Sequence, residues 1–155
     1  MFNYINNNMW SNKKMNPTND MKYGIAEEAN ARLAYCEASG NEISETGMWI
    51  DTRYPFLSAS TDGLILNNTG EPVGVLEIKC LKLLKDISVS DLIEQIEEGK
   101  IMKAVWSRQC FEVKNRELLL KENHAYFYQI QLQMLVTGLS FCDSVLHSPE
   151  GPPSI

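Results

Sequence analysis

Several features are absent from this 155-residue chain, and each absence excludes something. No run approaches the ~18 apolar residues that a membrane-spanning helix needs, so no such span is expected. The first twenty residues, MFNYINNNMWSNKKMNPTND, lack a basic-then-apolar pattern and so do not read as a secretory leader. The four cysteines, Cys36, Cys80, Cys110 and Cys142, include no C-x-x-C pair and read as reduced core thiols, which favours an intracellular, non-secreted protein, nucleus or cytoplasm not distinguished. There are only two histidines, and His147 has no His or Cys partner at ligand spacing, so zinc is not expected. Internal repeats are absent, and the only biased segment is the Asn-rich start.

What is present is one domain's length of chain with 44% hydrophobic residues, enough for a packed core. The net charge of −6 weighs against a nucleic-acid partner, whose phosphates attract a basic surface. Carboxylates that hold metal ions add negative charge to any phosphodiesterase site, however, and the bound cations offset it. The basic residues are also uneven, with Lys79, Lys82 and Lys85 close together.

Pattern and punctuation predict the order α-β-β-β-α-β-β-α-β, a mixed α/β fold around a central sheet. Residues 20–38 read as a helix with Asp20 as its cap and Gly40 past its end. Residues 43–51 read as one extended segment. DGLIL and GVLEIKC read as a hairpin, CFEVKNRELLLK as a second one turning near Lys114-Asn115, and FCDSVLHS as a final strand. SVSDLIEQIEEGK and ENHAYFYQIQLQMLVTG read as helices, each stopped by glycine.

Within 58–80, SASTDGLILNNTGEPVGVLEIKC, the strand ending at Cys80 carries Glu77 and Lys79 on one face, since strand side chains alternate. An edge strand with a charged, solvated face is one explanation. A second follows from Asp62 at the start of the preceding strand, whose carboxylate hairpin pairing brings toward Glu77. Two converging carboxylates repel unless a cation lies between them, and Mg²⁺ prefers such oxygen ligands. Lys79 would then orient a water or neutralise charge at a phosphate. On the first helix, Gly24, Glu28, Ala31 and Tyr35 share a face, so Glu28 either points inward with these small residues or is a surface glutamate like Glu27. Trp49, Phe56, Tyr126 and Phe127 are suited to stacking on bases, but core packing is the expected role for each. His124 is expected to cap or brace the helix that it begins.

Together these residues resemble the YqaJ-type viral recombinase nucleases, relatives of phage lambda exonuclease in the PD-(D/E)xK superfamily. The helix motif G-x-x-x-E-x-x-A-x-x-x-Y fits Gly24, Glu28, Ala31 and Tyr35, and S-P-D-G-L is here Ser60 to Leu64. The L-E-I-K-C strand is Leu76 to Cys80, and Y-x-x-Q-x-Q-x-Q-M fits Tyr126, Gln129, Gln131, Gln133 and Met134. The closing C-D-x-V…P-E-G fits Cys142, Asp143, Val145 and Pro149 to Gly151. The resemblance spans residues 21–151, with 1–20 as a loosely ordered lead-in and 152–155 as a tail.

The resemblance implies a restriction-endonuclease-like core and a DNA exonuclease linked to recombination or repair, releasing a 5′-phosphate. It implies Asp62, Glu77 and the Ile78 carbonyl as ligands of Mg²⁺ (or Mn²⁺), with Glu28 serving a second metal or its water. One ion or two about 3.5–4 Å apart would be used. Lys79 would position the nucleophilic water, Gln129 would support the site, and Ser60 would contact a DNA phosphate. Relatives form ring-shaped trimers, so a homo-oligomer on DNA is implied and no membrane association. Thr61 stands where the family has proline, and His147 and Ser148 replace bulkier residues. Residues 1–20 show no match to the family's upstream region that grips the DNA end, so cutting is expected to be slow and without strong end preference. The alternative is a catalytically weak or inactive DNA- or partner-binding module that keeps the fold. Intact Glu28, Asp62, Glu77 and Lys79 favour the enzyme, and the acidic charge favours the module.

Overall fold

A computed structural model describes residues 16–155. Helix α1 (Asn19–Ser39) opens the described chain. Its cap is Thr18 rather than Asp20: the Thr18 hydroxyl accepts from the Met21 N–H, and Asp20 falls in the first turn, where its charge suits the helix dipole. Gly40 closes the helix at φ 73°, a left-handed conformation that glycine adopts without a Cβ penalty. The expected loose lead-in falls, for residues 1–15, outside the described residues, and Asn19 and Asp20 already belong to α1.

The segment 43–51 divides into two strands that serve different sheets. Strand β1 (Glu42–Ser44) joins the main sheet, while β2 (Met48–Ile50) pairs with β3 (Ser58–Ser60) in a separate two-stranded ribbon. Gly47 and Thr46 separate the two strands in sequence, and no pattern residue marks the change of sheet. The expected hairpin forms as β4 (Gly63–Leu66) and β5 (Pro72–Cys80), joined through Asn67–Glu71, where the Asn67 side chain accepts from the Thr69 and Glu71 N–H groups. The last strand, β8 (Cys142–His147), runs parallel to β5, so the main sheet has the order β1-β4-β5-β8 and is mixed. Strand β5 is therefore central, and the edge-strand explanation for its charges does not apply.

Between β5 and β8 lie a 3₁₀ turn (Lys82–Leu84), helix α2 (Val89–Glu97), a short helix α3 (Lys103–Trp106), the β6–β7 hairpin (Phe111–Lys114 and Glu117–Leu120) and helix α4 (Ala125–Thr137). Ser88 and Asp91 form a reciprocal capping box at the start of α2. The β6–β7 turn uses Asn115 and Arg116, both at positive φ (53° and 66°), as a two-residue hairpin twist requires. His124 caps α4 as expected, its Nδ1 accepting from the Tyr126 N–H at 3.1 Å.

The main sheet is covered on both faces because β5 alternates. Leu76 and Ile78 pack with Ala31 and Tyr35 of α1, Ile65 and Val145. The opposite side holds a larger cluster in which Leu84, Leu92, Trp106, Phe111, Tyr126 and Ile130 meet. Helices α1 and α4 thus sandwich the strand that carries Glu77 and Lys79. Among the described residues, no helix is long and apolar enough to cross a membrane.

Candidate active site

Strand register brings the acidic pair together. Gly63 lies opposite Leu76, so the next position outward sets Asp62 against Glu77 on one face. The Asp62 N–H donates to the Leu76 carbonyl at 3.1 Å, and the Asp62 Oδ2 accepts from the Ile78 N–H at 2.7 Å. Asp62 is therefore anchored to the strand that bears Glu77 from both its backbone and its side chain. Asp62, Glu77, Ile78 and Lys79 line an open cleft of about 720 Å³, which Glu28 and Gly24 of α1 also border. Lys82, directly past β5, adds a second cation to its rim.

Glu77 is the most enclosed member, 5% exposed. Helix α4 holds both its oxygens: Gln129 Nε2 donates to Oε1 at 2.7 Å and Gln133 Nε2 to Oε2 at 2.5 Å. Gln133 also donates to the Ser60 carbonyl at 2.6 Å, which ties α4 to the chain entering Asp62. Gln131 is exposed, as its position about 200° around the helix from Gln129 requires. Ser60, expected at a DNA phosphate, presents an exposed side chain one residue beyond Thr61 from Asp62. The Lys79 ammonium lies 5.0 Å from the Tyr126 ring centroid, a cation–π contact that restrains a long flexible side chain. Tyr126 is buried in the core as expected, its hydroxyl near Glu77 but in no hydrogen bond of good geometry.

Glu28 enters the cleft and Glu27 does not; Glu27 accepts from Asn30 on the helix surface. Glu28 is fixed by Arg32, whose Nη1 donates to Glu28 Oε1 at 2.6 Å and to the Asp62 carbonyl at 3.2 Å. The last member of the α1 stripe, Tyr35, donates from its hydroxyl to Asp143 Oδ2 at 2.7 Å and so fastens α1 to β8.

Burial raises the Glu77 carboxyl to about 7, the Asp62 charge adds to the rise, and the Gln133 hydrogen bond and Lys79 oppose it. Asp62 is also raised, first by burial and then by Glu28, against the pull of the Ile78 N–H, Arg32 and Lys79. Burial first, and then the charges of Glu27, Glu28 and Asp62, push the Cys80 thiol up to about 12, so it stays protonated and is no nucleophile. His147 is buried, with its basicity lowered by burial and neither ring nitrogen partnered. Among the described residues no three or more His, Cys, Asp or Glu side chains form a metal cage.

The raised Glu77 value has a consequence for stability. The folded protein keeps a proton on Glu77 up to about pH 7, while the unfolded chain releases it near its ordinary value of 4.5. Stability is thus full below pH 4.5 and declines as pH rises toward 7, by on the order of 2–3 kcal/mol. In EDTA, the melting temperature should fall by roughly 5–10 °C across that window. In Glu77→Gln this decline should shrink to the smaller part due to Asp62. A melting temperature that rises with pH in this range would mean that the two carboxylates do not oppose each other.

Two residues act at the site without a role assigned from the sequence: Gln133, present in the helix motif, and Arg32, in no motif. Gln133 lies four positions from Gln129, hence on the same helix face, and that spacing was a usable signal. Arg32 stands four positions after Glu28, the spacing of a helical ion pair, but nothing local indicates that it also reaches the Asp62 carbonyl.

A mixed sheet between helices, with two carboxylates and a lysine on its central strands, defines a restriction-endonuclease-like domain. The sequence model of the YqaJ-like viral recombinase domain matches residues 4–140, and the chain belongs to that family. The match begins upstream of residue 21, so the family likeness extends further toward the N-terminus than the motifs alone traced it. Among solved structures, an alkaline exonuclease from Laribacter hongkongensis is similar at 25% identity and a TM-score of 0.56, over 90% of this chain and 55% of that one. Its complex with dAMP is similar at 25% identity and a TM-score of 0.60, over 97% of this chain and 63% of that one. The chain therefore spans between 55% and 63% of the length of the exonuclease chains that it matches. No curated protein matches it.

Proposed function

We propose that the chain is a divalent-metal-dependent deoxyribonuclease acting on DNA ends in recombination. The observation that carries this reading is the facing pair of half-buried Asp62, directly before β4, and buried Glu77 on β5, with Lys79 next to them. A structural domain gains nothing from setting the Asp62 charge where it raises the proton affinity of buried Glu77, whereas a hard cation removes that repulsion.

The donor set fits Mg²⁺, or Mn²⁺ in its place: Asp62, Glu77 and the Ile78 carbonyl would hold it, and Glu28 would serve a second ion or its water. Bound there, the ion would lower the pKa of a water and offset charge on the scissile phosphate. The protein's own groups do the rest. Gln129 and Gln133 hold both Glu77 oxygens, so the carboxylate cannot rotate away. Ile78 N–H fixes the Asp62 orientation in the same manner. Lys79, steadied on Tyr126, directs the attacking water and balances the developing negative charge. Arg32 keeps Glu28 turned toward the cleft. Lys82 at the rim and the Ser60 hydroxyl supply phosphate contacts on a chain whose net charge of −6 otherwise repels DNA.

The reading is supported by membership of the recombinase family and by the likeness to an alkaline exonuclease solved with dAMP. It is tested by incubating the purified chain with linear and covalently closed duplex DNA, in millimolar Mg²⁺ and in EDTA. Hydrolysis of the linear duplex in Mg²⁺ alone is expected. A chain that binds DNA and cuts neither form would be the inactive module.

A further inference from the structure

Phe56 does not join the core as expected; it is 80% exposed. It lies in the loop of residues 51–57 between β2 and β3, where Tyr54 is also 52% exposed. The loop is braced from beneath. Buried Asp51 accepts from the Arg53 N–H at 2.7 Å, the Tyr54 N–H at 3.1 Å and Arg53 Nη2 at 2.9 Å. Its own N–H donates to the Leu57 carbonyl at 3.0 Å, and the Leu57 N–H donates to the Tyr54 carbonyl at 2.8 Å. The Tyr54 and Phe56 centroids are 6.0 Å apart at a 56° tilt, and the Arg53 guanidinium sits 5.9 Å from the Tyr54 ring. The Arg53 side chain is 67% exposed, and its Nη1 has no partner among the described residues.

Asp51 fixes this loop without any help from the rings, so their exposure is not a by-product of folding. The loop leads through β3 toward the candidate site: Phe56 is six residues from Asp62, at most about 20 Å of extended chain.

We propose that Tyr54 and Phe56, with the Arg53 guanidinium beside the Tyr54 ring, form a platform on which bases of a DNA strand stack while its backbone passes the Asp62–Glu77 cleft. This rests on the nuclease reading above. Base faces match exposed rings, and phosphates match the free edge of Arg53. Two copies of the chain, each of net charge −6, repel one another overall.

The test measures affinity for a single-stranded oligonucleotide of about twelve nucleotides and for the same backbone with every base removed, in Ca²⁺ so that the strand stays intact. Wild type should bind the strand with bases about tenfold more tightly than the abasic one. Phe56→Ala should lose most of that difference and keep its affinity for the abasic strand, and Phe56→Trp should retain it. Circular dichroism should match wild type for both variants, since the side chain is outside the core. Equal affinity of wild type for the two strands would overturn the platform while leaving the nuclease reading intact. Failure of wild type to bind either strand would overturn both. A change of oligomeric state in Phe56→Ala, with base-dependent affinity unaltered, would reassign the rings to contact between copies.

Discussion

Glu77→Gln lowers the rate of DNA hydrolysis by at least about a thousandfold, the loss expected when one preorganised charge at the reacting phosphate is removed. The substitution keeps the shape of the side chain, and its carbonyl oxygen can still accept from Gln129 or Gln133. It removes the charge that opposes Asp62 and leaves the strand pairing in place, so the fold is preserved or slightly more stable. DNA affinity stays equal or rises, because one negative charge near the phosphates is gone. Rate and affinity measured on the same preparation separate this outcome from misfolding, in which both fall. A variant that cuts as fast as wild type would remove Glu77 from the chemistry.

Lys79→Met has the second-largest expected effect, a drop in rate of about a hundredfold or more, the range found for losing one charge-stabilising or proton-handling group. Methionine preserves the apolar stem beside Tyr126, so a loss of stability below about 1 kcal/mol is expected. Unlike Glu77→Gln, this change removes a positive charge from the cleft. DNA binding should therefore weaken, and both carboxylates should become harder to ionise, since Lys79 draws both down. The acid limb of the pH–rate profile should shift to higher pH. An unchanged profile together with an unchanged rate would leave Lys79 as a surface cation.

These two residues were legible in the sequence because a strand's period is two. Once 74–80 reads as a strand, Glu77 and Lys79 must share a face, and hairpin pairing brings Asp62 to that face. Helix α1 was legible for the same kind of reason, since Gly24, Glu28, Ala31 and Tyr35 repeat at helical spacing. What escaped depended on tertiary position. Phe56 and Tyr126 are both aromatic residues, yet α4 buries Tyr126 and the Asp51 brace turns Phe56 outward. The split of 43–51 between two sheets is decided by what α4 packs against: it contacts β2 and β3, leaving β1 to β4. Gln129 was assigned and Gln133 was not, although the buried Gln133 holds the second oxygen of Glu77.

The central claim is that Asp62, Glu77 and the Ile78 carbonyl together hold a divalent ion. Crystals of the protein soaked in Mn²⁺ and recorded at the manganese absorption edge test this directly. The account predicts an anomalous peak within about 2.0–2.3 Å of an oxygen from each of the three groups, and loss of that peak in Asp62→Asn. A peak elsewhere on the protein, or a cleft that stays empty in wild type at millimolar Mn²⁺, would contradict it.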